Sequence, residues 1–117
     1  MIPENAGASE WHRVCDSSAV PAGMRPFEVA RRKIVLARVN GTLFAFERFC
    51  PHVAGPMDRG ELNGTIVTCP LHGWRFDLAR GGCEIHGQRP ISTFAVKEEG
   101  GVVLMQLPLS TVSGGRP

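Results

Sequence analysis

The sequence predicts an all-β fold on three observations: short runs rich in β-branched, aromatic and aliphatic residues recur between Gly and Pro, two connections carry hairpin dipeptides, and no stretch sustains a helical period. The runs fall at 11–15, 27–30, 33–39, 42–46, 65–68, 93–97 and 102–107. Asn40-Gly41 tolerates positive φ at both turn positions, and Gly100-Gly101 does the same near the end, so both mark hairpins. The ends, residues 1–9 and 110–117, are small and polar and are expected to fray.

At 117 residues with 43% hydrophobic content, the chain suits one domain over 1–117. Its opening residues carry neither a basic stretch nor an apolar one, and nothing approaches the roughly 18 apolar residues of a membrane span, so a cytoplasmic protein without a membrane partner is expected. Thirteen Lys and Arg against eleven Asp and Glu leave a formal charge of +2, spread along the chain apart from Arg31-Arg32-Lys33. That run suits a solvated turn between strands; with no Tyr and two Trp, the chain lacks a base-stacking surface, and nucleic acid is not an expected partner.

From residue 50 to 90 the chain is dense in Gly, Pro, Cys and His, and one clear strand interrupts it. So long an irregular stretch buries too little apolar surface to offset its conformational entropy, which points to a metal centre as organiser. Two ligand pairs stand there: Cys50-Pro51-His52 and Cys69-Pro70-Leu71-His72, with sixteen residues between His52 and Cys69. Chance produces this arrangement with odds on the order of 10⁻⁴. Two Cys and two His could close a tetrahedral zinc site. Zinc modules usually pair like ligands, whereas here each loop brings one thiolate and one imidazole, which suits two metals ligated as Cys₂ and His₂.

In these residues the chain resembles the Rieske [2Fe–2S] family, specifically the small soluble ferredoxins of ring-hydroxylating dioxygenase systems. The matching text is Cys50-Pro51-His52 with Gly55-Pro56-Met57, then Cys69-Pro70-Leu71-His72-Gly73-Trp74-Arg75-Phe76-Asp77-Leu78 with Gly81-Gly82, and the proline loop at Pro90. The resemblance implies an antiparallel β-sandwich-like body with a loop-rich cluster-binding subdomain over about 48–90. It implies one [2Fe–2S] cluster, with Cys50 and Cys69 on the inner iron and His52 and His72 on the outer one, where electrons enter and leave. It further implies a monomeric electron carrier, not itself an enzyme, between an NAD(P)H-dependent flavoprotein reductase and a terminal oxygenase of aromatic hydrocarbon catabolism. An alternative is the small Rieske-like subunit of an assimilatory nitrite reductase, and a structural zinc module stands third. A large oxygenase subunit does not fit, because only 45 residues follow His72.

The chain departs from the high-potential branch of the family. Gly55 and Leu71 stand where that branch has its disulfide cysteines, and Trp74 and Phe76 where it has the Ser and Tyr that donate hydrogen bonds to sulfur. Hydroxyl donors stabilise a reduced cluster, so their absence implies a potential toward the low end of the Rieske range. Outside the motif, Cys15 and Cys83 are expected to be packed or partly exposed thiols, and His12 and His86 surface residues, although His86 could border the cluster face. Trp74 is expected to pack behind the second loop. Gly55, Gly60, Gly64 and Gly73 suit positions where a side chain would clash or positive φ is required. The loop tips, with Pro51, Val53, Ala54, Pro56 and Leu71, present an apolar rim suited to brief docking, and Arg59 and Arg75 are its nearest expected charges.

Overall fold

β3 (Arg32–Val39) contains Ile34, Val35, Leu36 and Ala37 in succession, all fully buried. Side chains alternate between the faces of a strand, so burial without alternation requires both faces to be covered. The computed structural model, which describes residues 11–51, 54–71, 73–85, 87 and 89–107, shows what covers them. Ile34 and Leu36 belong to one core with Val29, Ala45, Val103 and Met105. Val35 and Ala37 belong to a second with Phe46, Met57, Val67 and Phe76, which also holds Cys50 and Cys69.

β3 lies in a middle sheet of order β2-β3-β4-β9, with β2 at Gly23–Val29, β4 at Thr42–Glu47 and β9 at Thr93–Phe94. One face packs on a three-stranded sheet that joins the two ends of the described chain, β1 (Trp11–Asp16) pairing with β11 (Val102–Gln106) and β11 with β10 (Val96–Glu99). Against the other face lies an antiparallel meander of β5 (Glu61–Asn63), β6 (Ile66–Thr68), β7 (Arg75–Asp77) and β8 (Cys83–Glu84), with the cysteine loops at its border. No α-helix occurs among the described residues, and no helix among them is long and apolar enough to cross a membrane.

The expected hairpins are present. Asn40 and Gly41 have φ of 51° and 85°, Gly100 and Gly101 of 58° and 80°, and each pair joins adjacent antiparallel strands. A third hairpin carries no such signal: Ala30 and Arg31 take φ of 50° and 69° between β2 and β3, although L-residues pay roughly 1 kcal/mol or more each for this conformation. The basic run is therefore a turn only at Arg31, while Arg32 and Lys33 begin β3 opposite Val29 and Glu28. β2 passes through Pro26 because it is an edge strand, where the missing amide leaves no ladder bond unmade.

Two expectations need correction. The 50–90 stretch holds four strands rather than one; each has two or three residues, too few for an alternating pattern to register. The run at 93–97 is not one strand, because the chain leaves the middle sheet after Phe94 and enters the terminal sheet at Val96. The expectation of frayed ends concerns segments that lie outside the described residues.

The terminal and middle layers are tied by Arg38, whose guanidinium donates to both carboxylate oxygens of Glu98 at 3.1 and 2.8 Å and to the Val20 carbonyl at 2.7 Å. Hydrogen bonds from Arg38 and then Ser17 hold the Glu98 carboxyl down at about 2, against an ordinary value of 4.5.

Candidate metal centre

β4 and β6 end in loops that close by the same rule. In the first, the Cys50 amide donates to the Gly55 carbonyl at 2.9 Å and the Ala54 amide donates back to the Cys50 carbonyl at 2.8 Å. In the second, the Cys69 amide donates to the Trp74 carbonyl at 2.8 Å and the Gly73 amide to the Cys69 carbonyl at 3.1 Å. Each six-residue turn needs a left-handed residue at its fifth position, and Ala54 (φ 55°) and Gly73 (φ 72°) supply it. The twin geometry is not obvious from Cys-Pro-His-Val-Ala-Gly beside Cys-Pro-Leu-His-Gly-Trp.

This closure turns both thiols inward. Cys50 is 3% exposed and Cys69 1%, and both are free thiols in the core formed by Phe46, Met57, Val67 and Phe76. The loops also interlock. A Cβ on Gly55 would stand 3.0 Å from Cys69 Sγ and 3.0 Å from Leu71 Cγ, so only glycine leaves room beside that sulfur. A Cβ on Gly60 would overlap the Thr68 carbonyl oxygen, immediately before Cys69. Gly64 and Gly73 are explained differently, by φ of 62° and 72° in open space. The base of the first loop is held by the Met57 amide bonding to the Arg48 carbonyl at 2.7 Å and by Arg48 Nε bonding to Asp58 at 2.8 Å.

Of the four ligand candidates, the structure places Cys50 and Cys69 in one core, while His52 and His72 lie outside the described residues, as do Val53 and His86. Among the described residues no group of three or more His, Cys, Asp or Glu gathers. Two buried reduced thiols in an apolar wall, with glycine beside one sulfur, are donors that fit an iron–sulfur group. Cys15 belongs to the other core, where burial raises its thiol pKa, and Cys83 is exposed on β8. Trp74 packs against the cysteine core as expected, and His12 is half-buried on β1.

On the surface of the loops, Leu71 is 60% exposed and Phe49 39%. Arg59 and Arg75 are exposed near the second loop, but a cation the sequence does not single out stands at the first: Arg89 donates to the Pro51 carbonyl at 3.2 Å. Glu84, 1% exposed on β8, is likewise without a sequence signal, since a two-residue strand hides its inward direction.

The chain is similar to known proteins in sequence and in fold. The model of a family described as the Rieske [2Fe–2S] domain matches residues 10–95. The chain is 34% identical over 103 residues to the ferredoxin component of the 2,4-dinitrotoluene dioxygenase system of Burkholderia sp. (strain RASC), a match covering 86% of this chain and 98% of that protein. Among solved structures it resembles a chain of the complex of reduced oxygenase and oxidized ferredoxin in carbazole 1,9a-dioxygenase, with 27% identity, a TM-score of 0.72 and coverage of 82% of this chain and 92% of the other. A shorter match, 39% identical over 51 residues, falls on the oxygenase component of 3-ketosteroid-9-alpha-monooxygenase from Rhodococcus rhodochrous; it covers 44% of this chain but only 13% of that longer protein.

Proposed function

The chain belongs to the Rieske [2Fe–2S] family, and on that premise we propose that it is a diffusible one-electron carrier of a ring-hydroxylating oxygenase system. The observation that carries this reading is the pair of identically closed loops that bury Cys50 and Cys69 in one apolar core. Residues 1–117 form one domain, with about 48–90 as the cluster-binding part. Cys50 and Cys69 hold the inner iron, and His52 and His72 the outer one. The bound cluster supplies a site that accepts and releases a single electron. The protein's part is to bury the thiolates, keep water from the sulfur side, and bring the exposed loop faces against a partner.

The electron source is an NAD(P)H-dependent flavoprotein reductase and the acceptor a terminal oxygenase; the protein works as a monomer in the cytoplasm. Relatives named as ferredoxin components support the carrier role, and the ferredoxin in complex with an oxygenase supports the acceptor. The test is the purified protein itself. It should be red-brown, contain two irons and two acid-labile sulfides per chain, and take up one electron. Replacing Cys50 or Cys69 with Ser, or His52 or His72 with Ala, should remove or destabilise the cluster, whereas Cys83→Ser should keep it. A colourless protein with one zinc ion would refute the assignment.

A further inference from the structure

Two hollows, of about 240 and 450 Å³, share Glu47 and Phe49 in their walls and so lie side by side as one grooved strip of surface. It runs from Arg31 and Lys33 past Phe49 to Arg89. The acidic wall residue is already engaged, because Glu47 accepts from Arg32 at 2.8 Å. Arg31, Lys33 and Arg89 form no ion pair with a carboxylate among the described residues, so the groove carries an excess of three positive charges in a chain whose formal total is +2.

We infer that this groove is where the protein docks an acidic surface of the protein that accepts its electron. The inference rests on the carrier reading and deepens it. Phe49 precedes Cys50, and Arg89 donates to the Pro51 carbonyl, so the groove is built onto the first cysteine loop. A partner carboxylate at Arg89 and an apolar contact on Phe49 would set the partner against that loop. Arg31 and Lys33, at the far end, steer and align it. Concentrated positive charge beside a redox site raises encounter rates with anions by about tenfold or more at low salt, and screening removes the gain. This accounts for the charge better than stability does, since unpaired like charges in one groove repel.

The test uses the chemically reduced holoprotein and two one-electron oxidants of opposite charge, ferricyanide and hexaammineruthenium(III). In each reaction one electron leaves the protein and the oxidant's metal falls from the +3 to the +2 state. The variants are Arg31→Glu/Lys33→Glu and the same pair with Arg89→Glu, with Arg80→Glu as a control outside the groove. The double variant keeps the Arg89 bond to Pro51, so it remains informative if the triple variant loses its visible spectrum. Charge reversal should slow ferricyanide about tenfold at low ionic strength without slowing hexaammineruthenium, and the difference should close in high salt. Hexaglutamate, standing in for an acidic protein surface, should compete with ferricyanide on the parent but not on the double variant. Equal rates for parent and variants would overturn the inference, and so would a ferricyanide preference that hexaglutamate does not touch, which would mark a small-anion site. A reduced holoprotein that delivers electrons to neither oxidant would remove the carrier reading and this inference with it.

Discussion

Gly60→Ala should cost this protein its metal centre, although Gly60 is no ligand and its backbone (φ −86°, ψ −155°) is open to any residue. The added Cβ would overlap the Thr68 carbonyl oxygen and stand 3.0 Å from the Thr68 carbonyl carbon and 3.2 Å from Pro70 Cδ. Carbon atoms pack best at about 3.5 to 4.0 Å, so the segment on both sides of Cys69 must retreat by several tenths of an ångström at the carbons and further at the oxygen. The Thr68 backbone cannot swing away as a side-chain tip can. Overpacking of this kind costs about 1 to 3 kcal/mol, and here the upper end applies, which corresponds to a fall in Tm of roughly 8 to 12 °C in a domain of this size. Gly64→Ala is the matched control: nothing lies within 4 Å of its added Cβ, and only the left-handed φ of 62° is strained, at about 1 kcal/mol or somewhat more. Iron and sulfide per chain, with thermal unfolding, separate the two. Gly64→Ala should lower Tm by a few degrees and keep its full cluster, while Gly60→Ala should lose iron as well as stability. A Gly60→Ala protein with the parent's iron content and a Tm within about 2 °C of it would refute the steric reasoning.

Three further outcomes follow from the same structure. Glu98 has its carboxyl held at about 2 by Arg38, so its folded pKa is depressed and its stabilisation is present above the ordinary 4.5 and lost as pH falls from there toward 2. In urea unfolding, Glu98→Gln should therefore be less stable than the parent at pH 7, with the gap narrowed at pH 3 and closed only as pH falls to about 2 and below; the same gap at pH 7 and pH 3 would contradict the pair's role. Iodoacetamide should alkylate exposed Cys83 rapidly and leave Cys15, buried and with a raised pKa, untouched until the protein unfolds, as mass spectrometry of the peptides would show. Leu71→Glu, at a side chain 60% exposed, should slow electron delivery to an oxygenase in stopped-flow mixing while the visible spectrum stays unchanged; an unaltered rate would move the docking face away from the second loop.

How far the sequence showed this molecule varies with the physical signal behind each part. The hairpins at Asn40-Gly41 and Gly100-Gly101 were legible because a residue type that tolerates positive φ writes the turn into the text. Ala30-Arg31 adopts the same conformation with ordinary residues, held by the pairing of β2 and β3 on either side, so nothing local announces it. The Cys50 and Cys69 loops were legible from spacing alone, yet their common closure was not, because it lies in amides and carbonyls that every residue has. Gly60 illustrates the limit from the other side. A steric role could be suspected from its place near the loops, but that Thr68 is the atom group in the way depends on β5 and β6 lying side by side. Arg89 is separated from Pro51 by 38 positions, and no pattern in the chain links them.

The twin closure of the loops bears on how cheaply the protein can change oxidation state. The peptide N–H and C=O of Cys50 are both engaged in short-range bonds, and so are those of Cys69. With Cys50 and Cys69 holding the cluster as proposed, none of the four dipoles is at liberty to swing toward arriving charge or away from it. A polar frame already fixed contributes little reorganisation energy, because its nuclei occupy nearly the same positions before and after the electron moves. The frame was assembled once, during folding, and each turnover inherits it. Self-exchange between oxidised and reduced molecules should consequently vary only shallowly with temperature, and changes at the main chain of these loops should steepen that dependence even where the ligands remain in place.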